Sequence, residues 1–134
     1  MLILGLSNMR DASAALLDDG RIVAAAEEER FVRIKHVTAL PVHAIRSCLD
    51  QAGVRLDQVD AIAVPWKYWI VGRRAGLALR AMVRSIDLCR VKARRSAERV
   101  TEEWTELAFL RRRLRNTVGP FSAKPVYLDH HVCH

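Results

Sequence analysis

The 134-residue sequence predicts an α/β fold whose sheet opens as an antiparallel meander, and three features carry the prediction. Short apolar runs near the amino terminus flank an Asp18-Asp19-Gly20 turn signal. A segment of helical period then runs from Pro41 to Gly53. After it come a further short apolar run ending at Pro65 and, near the end of the chain, a last one.

Each element follows from local chemistry. LILGLS is short and apolar, as a buried strand requires. The run leading to Asp18-Asp19-Gly20 and the run RIVAAAEEE after it are two strands joined by a tight Asp-Gly turn, so they pair antiparallel. Residues 2–28 therefore read as a three-stranded meander. FVRIKHVTAL is irregular and ends at Pro41. In PVHAIRSCLDQAGV, Pro41 suits a first helical turn, while Val42, Ile45, Cys48, Leu49 and Ala52 recur at three- and four-residue spacing. Gly53 stops that helix. Residues 61–64 form a fourth strand, stopped by Pro65. Composition changes at Trp66, and 67–117 reads as a basic helical insert. One helix is expected near 74–89, with Leu77, Ala81, Val83, Ile86 and Cys89 inward. A second is expected near 97–115, with Val100, Trp104, Leu107, Leu110 and Leu114 inward. Gly119-Pro120 breaks the chain, and 125–129 is a last short strand. A meander, a helix and further sheet strands in this order open the actin-like (ribonuclease H-like) fold of nucleotide-binding proteins.

Composition narrows the function classes. About half of the residues are apolar, 51%, enough for one packed core. No apolar run reaches the length of a membrane span, and the amino terminus has no basic start or small-residue cleavage site. A cytoplasmic protein without a membrane partner is expected. Cys48, Cys89 and Cys133 are odd in number and lack CxxC spacing, so reduced thiols are expected. The formal charge is +7, and residues 67–115 hold fourteen Lys/Arg against five Asp/Glu. Such a block is commonly a solvated arginine-rich face, and it can also grip nucleic acid, anionic lipid or a phosphorylated substrate. No aromatic residues interleave with the arginines of 73–95 and 111–115, which argues against single-strand binding. The alternative to an enzyme is a small basic module that binds nucleic acid or an acidic partner.

Three groups of residues can carry chemistry. The chain closes on LDHHVCH, where His130 and His134 stand at i and i+4. On one helix face two such imidazoles can share a metal, with further ligands from elsewhere, and the alternative is a histidine-rich tail. Asp11 follows the first strand, at the edge of an α/β sheet where ligands bind, beside small Ser13, Ala14 and Ala15. It could equally cap a turn. Residues 27–36, EEERFVRIKH, alternate acids and bases. Arg30, Arg33 and Lys35 could clamp a phosphate or carboxylate, or lie along an exposed, ion-paired edge strand.

Taken together, DASAALLDDGRIVAAAEEERFVRIKH (11–36), the helix and strand that follow, and LDHHVCH resemble the amino-terminal domain of the nodulation-factor and antibiotic O-carbamoyltransferases, the tobramycin and cephamycin type. The likeness covers about 1–66 and 125–134. It implies an actin-like domain that moves a carbamoyl group from carbamoyl-adenylate to a hydroxyl of a small molecule. A carboxyl-terminal adenylate-forming domain, which would make that donor from ATP and carbamoyl phosphate, is the implied partner. The resemblance assigns Asp11 as acceptor of the hydroxyl proton, Lys35 to the adenylate, and His130 and His134 to a divalent metal, iron(II).

Two departures from the family pattern stand out. The residue before Asp11 is Arg10 where the family has histidine; arginine cannot act as a base, though it can contact a phosphate. The chain also ends at the metal motif. It is therefore expected to be the first half of the domain, inactive by itself, and prone to form a homodimer through uncovered apolar surface; activity with preformed carbamoyl-adenylate alone would mean that the transfer site is complete and only the activation domain is absent.

Overall fold

The computed structural model describes residues 1–8, 11–65 and 109–129. In chain order they form β1 (Leu2–Ser7), β2 (Ser13–Asp18), β3 (Arg21–Glu27), α1 (Glu29–Val32), α2 (Val42–Ala52), a 3-10 turn (Leu56–Gln58), β4 (Ala61–Val64), α3 (Leu110–Thr117) and β5 (Lys124–Tyr127). One five-stranded sheet has the order β3-β2-β1-β4-β5. β1, β2 and β3 pair antiparallel, whereas β4 pairs parallel with β1 and β5 parallel with β4. A meander on one side of β1 and parallel strands on the other is the expected actin-like, ribonuclease H-like sheet.

The hairpin between β2 and β3 turns on Asp19 and Gly20, at φ 44° and 81°. Two consecutive positive φ values make the turn whose twist matches that of the flanking strands, and Asp and Gly tolerate them. Alternation then sends Leu4 and Leu6 of β1, Ala14 and Leu16 of β2, and Ala24 of β3 into one core. β3 interrupts the alternation: Leu16 pairs with Ala24 but Leu17 with Ile22, which leaves Val23 as a bulged extra residue.

α2 covers this face of the meander. Ala44, Ile45, Cys48 and Leu49 are its buried residues, one apolar stripe as the spacing predicted. The Cys48 thiol donates to the Ala14 carbonyl at 3.5 Å, and burial pushes its pKa up, so it stays a protonated core residue. At the end of α2, Gly53 takes φ 63°; its N–H reaches the Asp50 carbonyl at 3.1 Å and Val54 N–H reaches Leu49 at 3.0 Å. The chain then enters β4 through Asp60, whose carboxylate accepts Leu2 N–H at 2.7 Å while its own N–H donates to the Leu2 carbonyl at 2.9 Å. That exchange sets the register Ile3↔Ala61.

Of the basic insert, residues 66–108 lie outside the described residues, and with them the helix expected at 74–89 and the first part of that at 97–115. The described end, α3, buries Leu110 and Leu114 and exposes Arg111, Arg112, Arg113 and Arg115. Arg46 of α2 donates to the carbonyl of Thr117, at the negative end of α3. Two boundaries need correction. The last strand is Lys124–Tyr127 rather than 125–129. Pro125, which donates no hydrogen bond, is accommodated because β5 is the edge strand, opposite β3 at the other edge of the sheet. The stretch expected to be irregular from Phe31 begins inside a one-turn helix, α1.

An alanine Cβ at Gly53 would meet no atom within 4 Å, so the cost of Gly53→Ala is purely conformational. Urea denaturation should show about 1 kcal/mol of lost stability, the penalty for a side chain in the left-handed region.

Candidate active site at the carboxyl edge of the sheet

β1, β3, β4 and β5 all run toward the same edge, and Asp11 sits there, just ahead of the row Ser7–Ser13–Glu27. The segment after β3 lies along this edge, tied to the start of β2. Glu28 N–H donates to the Ala12 carbonyl at 2.8 Å, and Ala12 N–H donates to the Val37 carbonyl at 2.9 Å. These bonds bring Asp11 beside residues 35–37. The Asp11 carboxylate Oδ1 lies 2.9 Å from His36 Nδ1, and both side chains are exposed. Lys35, the residue before His36, is exposed as well. The segment bends through two left-handed residues, Arg33 and His36, both at φ 56°. Non-glycine residues occupy that region rarely, and histidine more readily than most.

Of the predicted site residues, Asp11 and Lys35 are described: Asp11 contacts His36, and Lys35 is the residue before His36 in the chain. Arg10, His130 and His134 lie outside the described residues. Asp129, the last before them, follows the end of β5 at this same edge, where Leu128 N–H donates to the Val64 carbonyl at 2.8 Å. Among the described residues no three His, Cys, Asp or Glu side chains converge as a metal site. Arg30, a candidate clamp, faces Glu27 instead, with Nε 3.5 Å from Oε2. That pair is exposed and contributes little to stability.

Sequence reasoning missed Glu28. It is 3% exposed, the one buried acid among the described residues. Its Oε2 accepts Ala44 N–H at 2.8 Å, and its Oε1 accepts His43 N–H at 3.2 Å and lies 2.6 Å from His43 Nδ1. A carboxylate from the segment after β3 therefore caps α2, meeting two of the free N–H groups of its first turn and their positive dipole. Phe31 of α1 stacks on the His43 ring, centroids 6.2 Å apart. The sequence shows only that Pro41, at the helix start, carries no side-chain oxygen to cap α2; it does not point to Glu28.

The sequence profile of the carbamoyltransferase amino terminus matches residues 2–73, more than half of the chain, and the chain belongs to that family. Among similar proteins is the nodulation protein NolNO of Sinorhizobium fredii (strain NBRC 101917 / NGR234), 51% identical over 55 residues, which are 41% of this chain and 8% of that protein. An uncharacterized 19.2 kDa protein from the syrM 5′ region of Rhizobium etli is 49% identical over 57 residues, 42% of this chain and 33% of its own length. The uncharacterized protein sll1178 of Synechocystis sp. (strain ATCC 27184 / PCC 6803 / Kazusa) is 51% identical over 61 residues, 45% of this chain and 10% of that protein. The matched stretch thus spans a third or less of each relative. Among solved structures, YeaZ from Pseudomonas aeruginosa superposes over 93% of this chain and 45% of its own, at 20% identity and a TM-score of 0.41, and adds nothing to what the strand order shows.

Glu28→Ala should lower the unfolding free energy by on the order of 2 kcal/mol, because two helix N–H groups lose a charged acceptor. Hydrogen exchange should speed up at His43 and Ala44 first. Unchanged exchange at those two amides would contradict the capping role.

Proposed function

We propose that the chain acts in transfer of a carbamoyl group from carbamoyl-adenylate to a hydroxyl of a small molecule of the sugar, antibiotic or nodulation-factor type. Membership of the carbamoyltransferase family supports carbamoyl transfer in general. The naming of one relative as a nodulation protein supports the acceptor class. The observation that carries the reading is the meeting of Asp11 with the segment of Lys35 and His36 at the carboxyl edge of the sheet, 2.9 Å between carboxylate and imidazole.

The reaction needs a hydroxyl relieved of its proton and a phosphate leaving group stabilised as it departs. Asp11 marks the acid–base end of this edge. Lys35, one residue from His36, brings a positive charge for the phosphate of the adenylate, and in this reading Arg10 adds a second. His130 and His134 would hold the divalent metal, iron(II), which when bound offsets negative charge on oxygen. Formation of carbamoyl-adenylate from ATP and carbamoyl phosphate belongs, in this reading, to a separate adenylate-forming domain.

The test supplies the purified chain with synthetic carbamoyl-adenylate, iron(II) and an amino-hydroxylated sugar, and follows the carbamate ester by mass spectrometry. Transfer from the adenylate, with none from ATP and carbamoyl phosphate, is the expected outcome. Asp11→Ala should slow it by about 100-fold or more. Absence of transfer from the preformed adenylate would overturn the reading.

A further inference from the structure

Resting on that reading, we infer that the group taking the hydroxyl proton is Nε2 of His36, and that Asp11 acts through this ring by holding it. Two carboxylate–imidazole pairs occur among the described residues, Asp11–His36 and Glu28–His43. The second is structural. Glu28 is buried and committed to two backbone N–H groups of α2, and His43 is stacked under Phe31. The first is open to a substrate, with side chains 57% and 59% exposed at the edge where β1, β4 and β5 end.

Its geometry fixes the proton's place. An ionised carboxylate can only accept, so the contact of 2.9 Å at Nδ1 requires that nitrogen to carry the hydrogen. The lone pair of the neutral ring is then on Nε2, on the far side of the ring from Asp11. The main chain holds both partners. Ala12, next to Asp11, donates to Val37, next to His36, at 2.9 Å, and His36 itself sits at φ 56°. A non-glycine residue in that conformation is sustained by its surroundings. Near neutral pH an imidazole is a better proton acceptor than an aspartate carboxylate. Arg10, the other neighbour of Asp11, cannot accept a proton at all.

The acceptor hydroxyl gives its proton to His36 Nε2, and its oxygen forms a bond to the carbamoyl carbon of the mixed carbamic–phosphoric anhydride. The bond from that carbon to the phosphate oxygen breaks, and its electron pair leaves with the adenosine monophosphate. The imidazolium that results is held by the Asp11 carboxylate until it passes its proton to solvent.

Two measurements on the purified chain test the inference. In 15N imidazole spectra, the His36 signal, assigned by its loss in His36→Asn, should show Nδ1 protonated, and Asp11→Asn should abolish that preference. Asparagine is chosen at 36 because it tolerates the left-handed backbone. A ring protonated at Nε2 instead, or one indifferent to Asp11→Asn, overturns the inference and leaves the carbamoyl-transfer reading standing. In transfer from synthetic carbamoyl-adenylate, His36→Asn should lower kcat by about 100-fold or more with the acceptor KM little changed. Adding Asp11→Asn to His36→Asn should cost nothing further, since a positioning residue has nothing left to position. A further loss in the double variant would make Asp11 the direct base and overturn the inference. No transfer by the unsubstituted chain, with the Nδ1 tautomer in place, would overturn the transfer reading and this inference with it.

Discussion

The Glu28 carboxylate at the amino end of α2 is the constraint on which the edge of the sheet depends. A charge with 3% exposure is costly unless every lone pair finds a donor. Here the helix supplies two N–H groups and the positive end of its dipole, while His43 supplies a ring nitrogen. The Glu28 backbone N–H donates to the Ala12 carbonyl. Glu28 therefore joins three things that the chain keeps apart in sequence: the start of β2, the end of β3 and the start of the core helix. With that junction fixed, the chain from 29 to 41 has both ends held, and its path brings His36 to Asp11.

The sheet order explains why the junction falls on the functional edge. Two hairpin-like reversals make β3 parallel to β1, and β4 and β5 return parallel to it on the other side. Four strand ends consequently open on one side of the molecule. Residues arriving there come from segments as distant in sequence as Asp11 and Asp129. The opposite edge is given over to structure: Asp60 sets the β1–β4 register there, and Gly53 closes α2.

Most of the fold was legible because its signals are local. Asp19-Gly20 needs only its own backbone preferences to make a hairpin, and the stripe Ile45, Cys48, Leu49 needs only helical period. The end of α2 was readable for the same reason, since Gly53 acts through its own φ. Glu28 was not readable in this way. Nothing in EEERF distinguishes the glutamate that is buried from its two neighbours that are not, because the distinction is made by a helix beginning at Val42. The pairing of Asp11 with His36 was hidden likewise. It depends on the left-handed turns at Arg33 and His36, and neither residue type announces them. The resemblance of 11–36 to a known family flagged the whole stretch as functional, yet it could not say which of its charges would meet.

The bulge at Val23 has a consequence for how the protein behaves at high concentration. β3 is an outermost strand, and Ile22 and Val23 are 72% and 46% exposed on it. A straight, apolar strand in that position is a template onto which another chain can add, and repeated addition leads to fibrils. The extra residue breaks the even spacing of outward N–H and C=O groups and sharpens the local twist. Arg21 and Glu27 place a charge at each end of the strand. A one-residue deletion at 23 would leave Ile22 opposite Leu17 and the core alternation intact, so folding would tolerate it. Its harm would lie outside the fold, in a smooth apolar border offered to every neighbouring copy.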